Sequence, residues 1–351
     1  MTDTREKLRA ARDRFEPPHD VLEALHRRRE RRDRVRRRTA VALSLTLFLA
    51  LVVGLAISVR TAGEPVSEPT ETPAPPPRGI FSSVGGWIAF VDQGATWAVA
   101  PDGSEQTVLL DGRKDLWAQD WSPDGSRLLV ALDDPGGSPW DLAVIEPDGS
   151  ETTLVETSRF DGASFSPDGA TVVYARWATA SRRGQLLTVA SDGSGKPRLL
   201  LESKDLLYEP TYSPDGTQIA YVDGGGDHSH TIRVVNADGT DVRVLIDATG
   251  PFDSGHIRGL DWSPDGSVIA VGLEGRGIYT IIPDGTFLSL LIPGGGNPAW
   301  SPDGTQLAYS PSSVGTPSGV WVANADGSDP RPLPARGDAG PWNPGGLADR
   351  G

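Results

Sequence analysis

The sequence predicts an all-β fold, a six-bladed β-propeller with a C-terminal strand closing its first blade, preceded by a single transmembrane helix and a short basic helical tail. Three observations carry this. The turn Ser-Pro-Asp-Gly, led each time by an aromatic, is written five times, at 122–125, 166–169, 213–216, 263–266 and 301–304. A second turn, Asp-Gly followed by a polar residue, interleaves with it six times, at Asp102, Asp148, Asp192, Asp238, Asp284 and Asp326. One uncharged apolar run of 20 residues, 40–59, stands between an arginine-rich and a proline-rich segment.

The first turn has a local mechanism. Proline pre-sets φ near −65° at the second turn position. Aspartate follows, and its short side chain bonds nearby backbone. Glycine then takes the left-handed conformation that other residues resist. A tight hairpin results, a type I turn with a bulge at the glycine. The aspartates are therefore expected to shape turns and to do no chemistry. Successive copies lie 44, 47, 50 and 38 residues apart, a spacing that belongs to repeat architectures.

Short apolar runs fill the spaces between turns. Those at 128–132, 172–174, 219–222, 269–271 and 307–309 follow the first turn, and those at 107–110, 153–155, 198–201, 242–246 and 287–292 follow the second. Each unit thus has four strands: one ending at the aromatic, one after Ser-Pro-Asp-Gly, one before Asp-Gly and one after it. Four antiparallel strands per unit make a propeller blade.

These residues resemble the TolB-type, WD-repeat-like β-propellers. Gln218-Ile219-Ala220-Tyr221 and Gln306-Leu307-Ala308-Tyr309 are similar to the strand that follows the turn in that family. The resemblance spans roughly residues 81–346 and implies the fold, not the function. Six Asp-Gly turns imply six blades. The first blade lacks its own innermost strand, because 82–86 is a worn copy of the turn with no strand before it. The segment Pro341-Trp342-Asn343-Pro344-Gly345 echoes Ala299-Trp300-Ser301-Pro302-Asp303. A strand near 338–342 is therefore expected to pair into the blade of Trp87, closing the ring and covering an open edge.

Four domains follow in order: a basic cytoplasmic tail at 1–39, a transmembrane helix at 40–59, a proline-rich linker at 60–80 and the propeller at 81–351. Residues 1–39 carry 14 Lys and Arg against 8 Asp and Glu, a net of +6, which leaves −20 for the rest of a chain whose total is −14. So uneven a distribution implies two compartments or two kinds of partner. The tail reads as two short helices broken at Pro17-Pro18, with Asp20 and Glu23 as a capping box. Its layout resembles that of some actinobacterial membrane regulators. At about 1.5 Å per residue, 40–59 spans one hydrocarbon core of roughly 30 Å. Nine arginines precede it and Arg60 alone follows, which places the N-terminus in the cytoplasm and the propeller outside it. The arginines are expected to lie against anionic lipid headgroups. No recognition fold accompanies them, so no nucleic-acid partner is expected.

Candidate chemistry is thin. Cysteine is absent, which excludes thiolate chemistry and disulfides. No Gly-x-Ser-x-Gly elbow or phosphate loop is present. No cofactor and no metal are expected. The cluster Asp227-His228-Ser229-His230 alone resembles metal ligands, and it reads as a solvated glycine-rich loop. Trp140, Arg176, Trp177, Arg182 and Arg183 are expected in long loops, where with Asp227, His228 and His230 they form the candidate partner-binding set. Both short turns fall on one face of the disc, so the longer connections share the opposite face, where binding is expected. The resulting expectation is a non-enzymatic, membrane-anchored propeller that binds a protein or cell-envelope ligand there, with signalling to the tail as one extension. The alternative is a lyase- or lactonase-like propeller enzyme with a metal in its central channel.

Overall fold

The computed structural model describes residues 81, 83–92, 95–110, 116–133, 140–157, 160–224, 230–247, 256–311 and 318–344. The expected tail, spanning helix and linker lie outside these residues. No helix among the described residues is long and apolar enough to cross a membrane. All the described strands lie in the compact unit Pro75–Gly351.

Six four-stranded antiparallel sheets follow one another along the chain. Blade 1 contains β1 (Ile88–Asp92), β2 (Ala95–Val99) and β3 (Gln106–Leu110). Blade 2 is β4 (Leu116–Trp121), β5 (Leu128–Asp133), β6 (Trp140–Ile145) and β7 (Glu151–Thr157). Blade 3 is β8 (Phe160–Phe165), β9 (Thr171–Ala178), β10 (Arg183–Ala190) and β11 (Arg198–Ser203). Blade 4 is β12 (Leu206–Tyr212), β13 (Gln218–Gly224), β14 (His230–Asn236) and β15 (Arg243–Ile246). Blade 5 is β16 (Ile257–Trp262), β17 (Ile269–Leu273), β18 (Gly277–Ile281) and β19 (Leu288–Pro293). Blade 6 is β20 (Gly295–Trp300), β21 (Gln306–Pro311), β22 (Trp321–Asn324) and β23 (Arg331–Pro332).

The missing strand of blade 1 comes from the far end of the chain, as the sequence implies. β24 (Asp338–Trp342) pairs antiparallel with β1, with Ile88 opposite Trp342 and Val91 opposite Asp338. The Trp342 indole N–H donates to the Gly86 carbonyl at 2.7 Å, and the Asn343 N–H donates to the Trp87 carbonyl at 2.8 Å. The worn turn before β1 thus accepts the strand that echoes it. Inner strands touch in the order β24, β4, β8, β12, β16, β20 and back to β24, so the ring is closed.

The turns behave as their residues require. In the first, the Gly125 N–H donates to the Ser122 carbonyl at 2.7 Å while Gly125 sits at φ +69°. Asp124 Oδ1 accepts from the Ser122 hydroxyl at 2.6 Å and from the Ser126 N–H at 3.0 Å. The Ser122 hydroxyl in turn accepts the Arg127 N–H at 2.9 Å, which accounts for a serine that is fully buried. In the second turn, Asp102 takes the Ser104 N–H at 2.9 Å, and Asp148 takes that of Ser150 at the same distance. The aspartates are consumed as hairpin ends.

Core formation follows from strand alternation. Side chains along a strand point alternately to its two faces. Ile269, Val271 and Leu273 therefore pack against blade 4, while Ala270 faces blade 6. Leu128 and Val130 face blade 1, and Leu129 faces blade 3. Six apolar clusters result, one at each blade-to-blade interface. No blade buries both of its faces alone, and for that reason the units must stack.

Candidate functional site

The six inner strands surround a central channel of about 1230 Å³. Each runs from the long connections toward the short turn and ends at the aromatic. Position along the channel can therefore be counted back from that residue.

One residue back stand Asp120 in blade 2 and Asp261 in blade 5, on opposite sides of the ring. Asp120 Oδ2 accepts the N–H of Phe165 in blade 3 at 2.8 Å, and its Oδ1 accepts the Trp121 N–H at 2.8 Å. Asp261 Oδ2 accepts the N–H of Trp300 in blade 6 at 2.6 Å. Each carboxyl thus ties its blade to the next. Protein surrounds both groups on every side but the channel. Burial pushes Asp120 up to about 6 against the pull of its backbone donors. Burial pushes Asp261 up to about 8, with the Asp120 charge adding to the rise.

Three residues back, the chain bulges. The register of the inner strand shifts at Phe160/Ala163, Tyr208/Thr211, Ile257/Leu260 and Gly296/Ala299. The residue inside each bulge has positive φ: Gly162 at +105°, Glu209 at +50°, Gly259 at +82° and Asn297 at +49°. Glycine takes this conformation freely and asparagine tolerates it, whereas glutamate is strained by about 1–3 kcal/mol. Glu209 lines the channel, and its carboxyl is raised to about 7, first by burial and then by the Asp161 charge, with Arg258 pulling the other way. Unlike Asp120 and Asp261, it receives no hydrogen bond from the described residues.

The long-connection end of the channel adds Trp117, with half its surface exposed, together with Arg258, Arg336 and Asp338. Arg258 Nη2 also meets Glu274 Oε1 at 2.9 Å. The wall mixes polar and apolar surface, carries charges of both signs and is fed by several blades. Among the described residues no group of three His, Cys, Asp or Glu side chains is arranged to hold a metal ion.

The candidates read from sequence lie elsewhere. Arg176 and Trp177 are in β9 and Arg183 opens β10, so the expected long loop there is only a short turn. The strands run to eight residues because their ends keep pairing beyond the apolar core, Arg176 with Gln185 and Trp177 with Gly184. Arg176 Nε donates to Gln185 Oε1 at 3.0 Å, and the Gln185 amide in turn bonds to Glu202. Arg182 occupies the turn itself at φ +55°. Trp140 opens β6, opposite Asp133 and Thr157. His230 opens β14, is nearly fully buried, and hydrogen-bonds through Nδ1 with the Tyr208 hydroxyl. Its ring lies 5.4 Å from that of His256. Asp227 and His228 fall outside the described residues. Arg176, Trp177, Arg182, Arg183 and His230 sit at the hairpin ends of blades 3 and 4, and none of them lines the channel.

The sequence points to binding at this face or at the channel mouth, yet it singles out none of the wall residues. One signal in it does mark them: the turn at 122–125 and the turn at 263–266 are both led by Asp-Trp. Two copies sharing an extra acid one residue before the aromatic mark the channel carboxylates.

No protein-family model matches the sequence, and no curated protein matches it. Solved structures do. TolB from Acinetobacter baumannii aligns with a TM-score of 0.62 at 19% identity, over 76% of this chain and 67% of that one. A putative TolB from Agrobacterium tumefaciens aligns with a TM-score of 0.58 at 20% identity, over 74% of this chain and 95% of that one. An oligogalacturonate lyase in complex with manganese reaches a TM-score of only 0.40, too low to carry an argument. The described chain thus has the TolB-type, six-bladed β-propeller fold.

Proposed function

We propose that this chain is a single-pass, membrane-anchored propeller that acts outside the cytoplasm as a non-enzymatic binding or scaffold module. A protein or cell-envelope ligand is held at the face of the long connections, and the basic tail lies on the cytoplasmic side. The apolar run at 40–59 and the arginines before it support the anchor and its orientation. The observation that carries the binding reading is the use made of the channel acids. Asp120 and Asp261 hold backbone N–H groups of neighbouring blades, so the channel floor joins the ring together and leaves the mouth as the exposed polar surface.

The enzyme reading draws on Glu209, whose carboxyl near 7 suits proton transfer. It lacks a partner: no histidine lines the described channel wall, and no metal-holding group accompanies the glutamate among the described residues. The test is photo-crosslinking in native membranes, with one probe at Arg336 on the mouth and another at Asp238 on the short-turn face. A species captured from Arg336 and not from Asp238 supports the binding module. Equal capture from both faces, or metal-dependent turnover of a lactone or uronide by the purified chain, overturns it.

A further inference from the structure

We infer that the channel mouth is a glycan-binding site, in which Trp117, Glu209, Arg258, Asn297, Arg336 and Asp338 receive the end of a neutral or amino-sugar oligosaccharide. The inference rests on reading the mouth as a binding surface and names the chemistry of what binds there.

Glu209 is the starting point, because the fold does not account for it. At the same offset the two neighbouring blades carry Gly162 and Gly259, which adopt the left-handed bulge without strain. Blade 4 places a glutamate there and gives its carboxylate no hydrogen bond among the described residues. A glycine would serve the fold better. Strained backbone and a channel-lining acid that no described residue hydrogen-bonds are together the marks of a residue kept for a ligand. Asn297 places a polar side chain at the same left-handed bulge in blade 6.

The surroundings select the ligand. Trp117 leaves half its surface in water, on a wall that mixes apolar surface with charged and amide side chains. The other large exposed hydrophobics, such as Val108, Leu199, Val244 and Leu290, are spread over outer strands. A protein partner would be gripped by a buried apolar centre, and the mouth offers a single indole. An exposed indole on a wall that also carries a carboxylate, an amide and a guanidinium suits a pyranose instead. The ring stacks its C–H face, and the planar groups pair with neighbouring hydroxyls. Charge narrows the choice further. Asp92, Glu209 and Asp338 line the mouth with Asp161 close by, and of the two arginines Arg258 is already engaged by Glu274. Such a surface repels uronates, accepts neutral sugars and attracts protonated amino sugars.

The test is calorimetric titration of the full-length chain in detergent with cellotetraose, a glucosamine tetramer and tetragalacturonate. Binding of either of the first two, with tetragalacturonate bound more weakly or not at all, is expected. Trp117→Ala weakens that binding at least tenfold and leaves the melting temperature unchanged. Glu209→Gly abolishes binding while raising the melting temperature by about 2 °C or more. Glu209→Gln retains part of the neutral-sugar affinity, which separates hydrogen bonding from charge. The inference is overturned by absence of binding at millimolar sugar, by preference for tetragalacturonate, by affinity that survives both Trp117→Ala and Glu209→Gly, or by a fall in melting temperature in Glu209→Gly. A protein captured at Arg336 while every sugar fails removes the glycan and keeps the binding module. Failure of both experiments removes the module as well.

Discussion

Asp120 and Asp124 lie four residues apart and use a carboxylate in opposite ways. Asp124 sits in the turn; burial works against its ionised form, but the hydrogen bonds from Ser122 and Ser126 outweigh it and hold the group below its ordinary value. Asp120 also receives hydrogen bonds, yet at its depth burial wins and the group rises to about 6. Asp261 goes further, to about 8, chiefly through burial, with the Asp120 charge across the channel adding to it. The consequence for stability has a definite sign. Between its ordinary value of 3.8 and about 8, folded Asp261 keeps a proton that the unfolded chain has released. Stability from this group is therefore full at the acid end of that window and is lost as pH rises through it. The melting temperature is expected to be higher at about pH 5 than at about pH 8.5. Asp261→Asn, which still presents an oxygen to the Trp300 N–H, should flatten the difference. An unchanged pH slope in the variant, measured by thermal unfolding, would show that the dependence arises elsewhere.

At the scale of strands and turns, the closure between β1 and β24 is the critical joint, and a glycine guards it. A Cβ on Gly337, just before β24, would meet the Val91 carbonyl oxygen at 1.9 Å and the Phe90 ring at 3.0 Å. Neither backbone can yield without separating the strands. Gly337→Ala is expected to cost about 3 kcal/mol in denaturant unfolding, in line with overpacking of a close contact. A variant within about 0.5 kcal/mol of the parent, the ordinary range for a neutral surface change, would mean that the joint is looser than described. The strands, the blade count and the closing pair are legible in the sequence alone, because they rest on local chemistry: proline, aspartate and glycine at fixed offsets, and an aromatic that repeats. What stays hidden there is whatever depends on the ring. Nothing local distinguishes Glu209 from an ordinary strand residue until blades 3 and 5 show glycine at the same depth. Asp120 and Asp261 resemble further turn acids until the next blade's N–H is seen at the carboxylate. Arg176 and Trp177 read as loop residues because the apolar run stops at Tyr174, whereas β9 continues on cross-strand pairing with β10.

For the whole molecule, the weight lies on how charge and packing are divided. A net of +6 on residues 1–39 and −20 on the remainder is the pattern expected when a membrane separates the two. The ring itself should resist proteolysis. Its apolar interfaces run all the way round, its first blade is closed by pairing with β24, and no blade can open without exposing a neighbour. Residues 60–80, rich in proline and poor in apolar residues, have the composition of a protease-accessible linker. Limited proteolysis of intact spheroplasts should therefore cut between 60 and 80, release the 81–351 propeller whole into solution and leave the tail with the membrane. In inverted vesicles the same protease should trim only the tail. Release of the propeller from inverted vesicles alone would reverse the orientation. Recovery of uncut chain in the soluble fraction would remove the anchor, and with it the argument that a ligand at the channel mouth is met outside the cell.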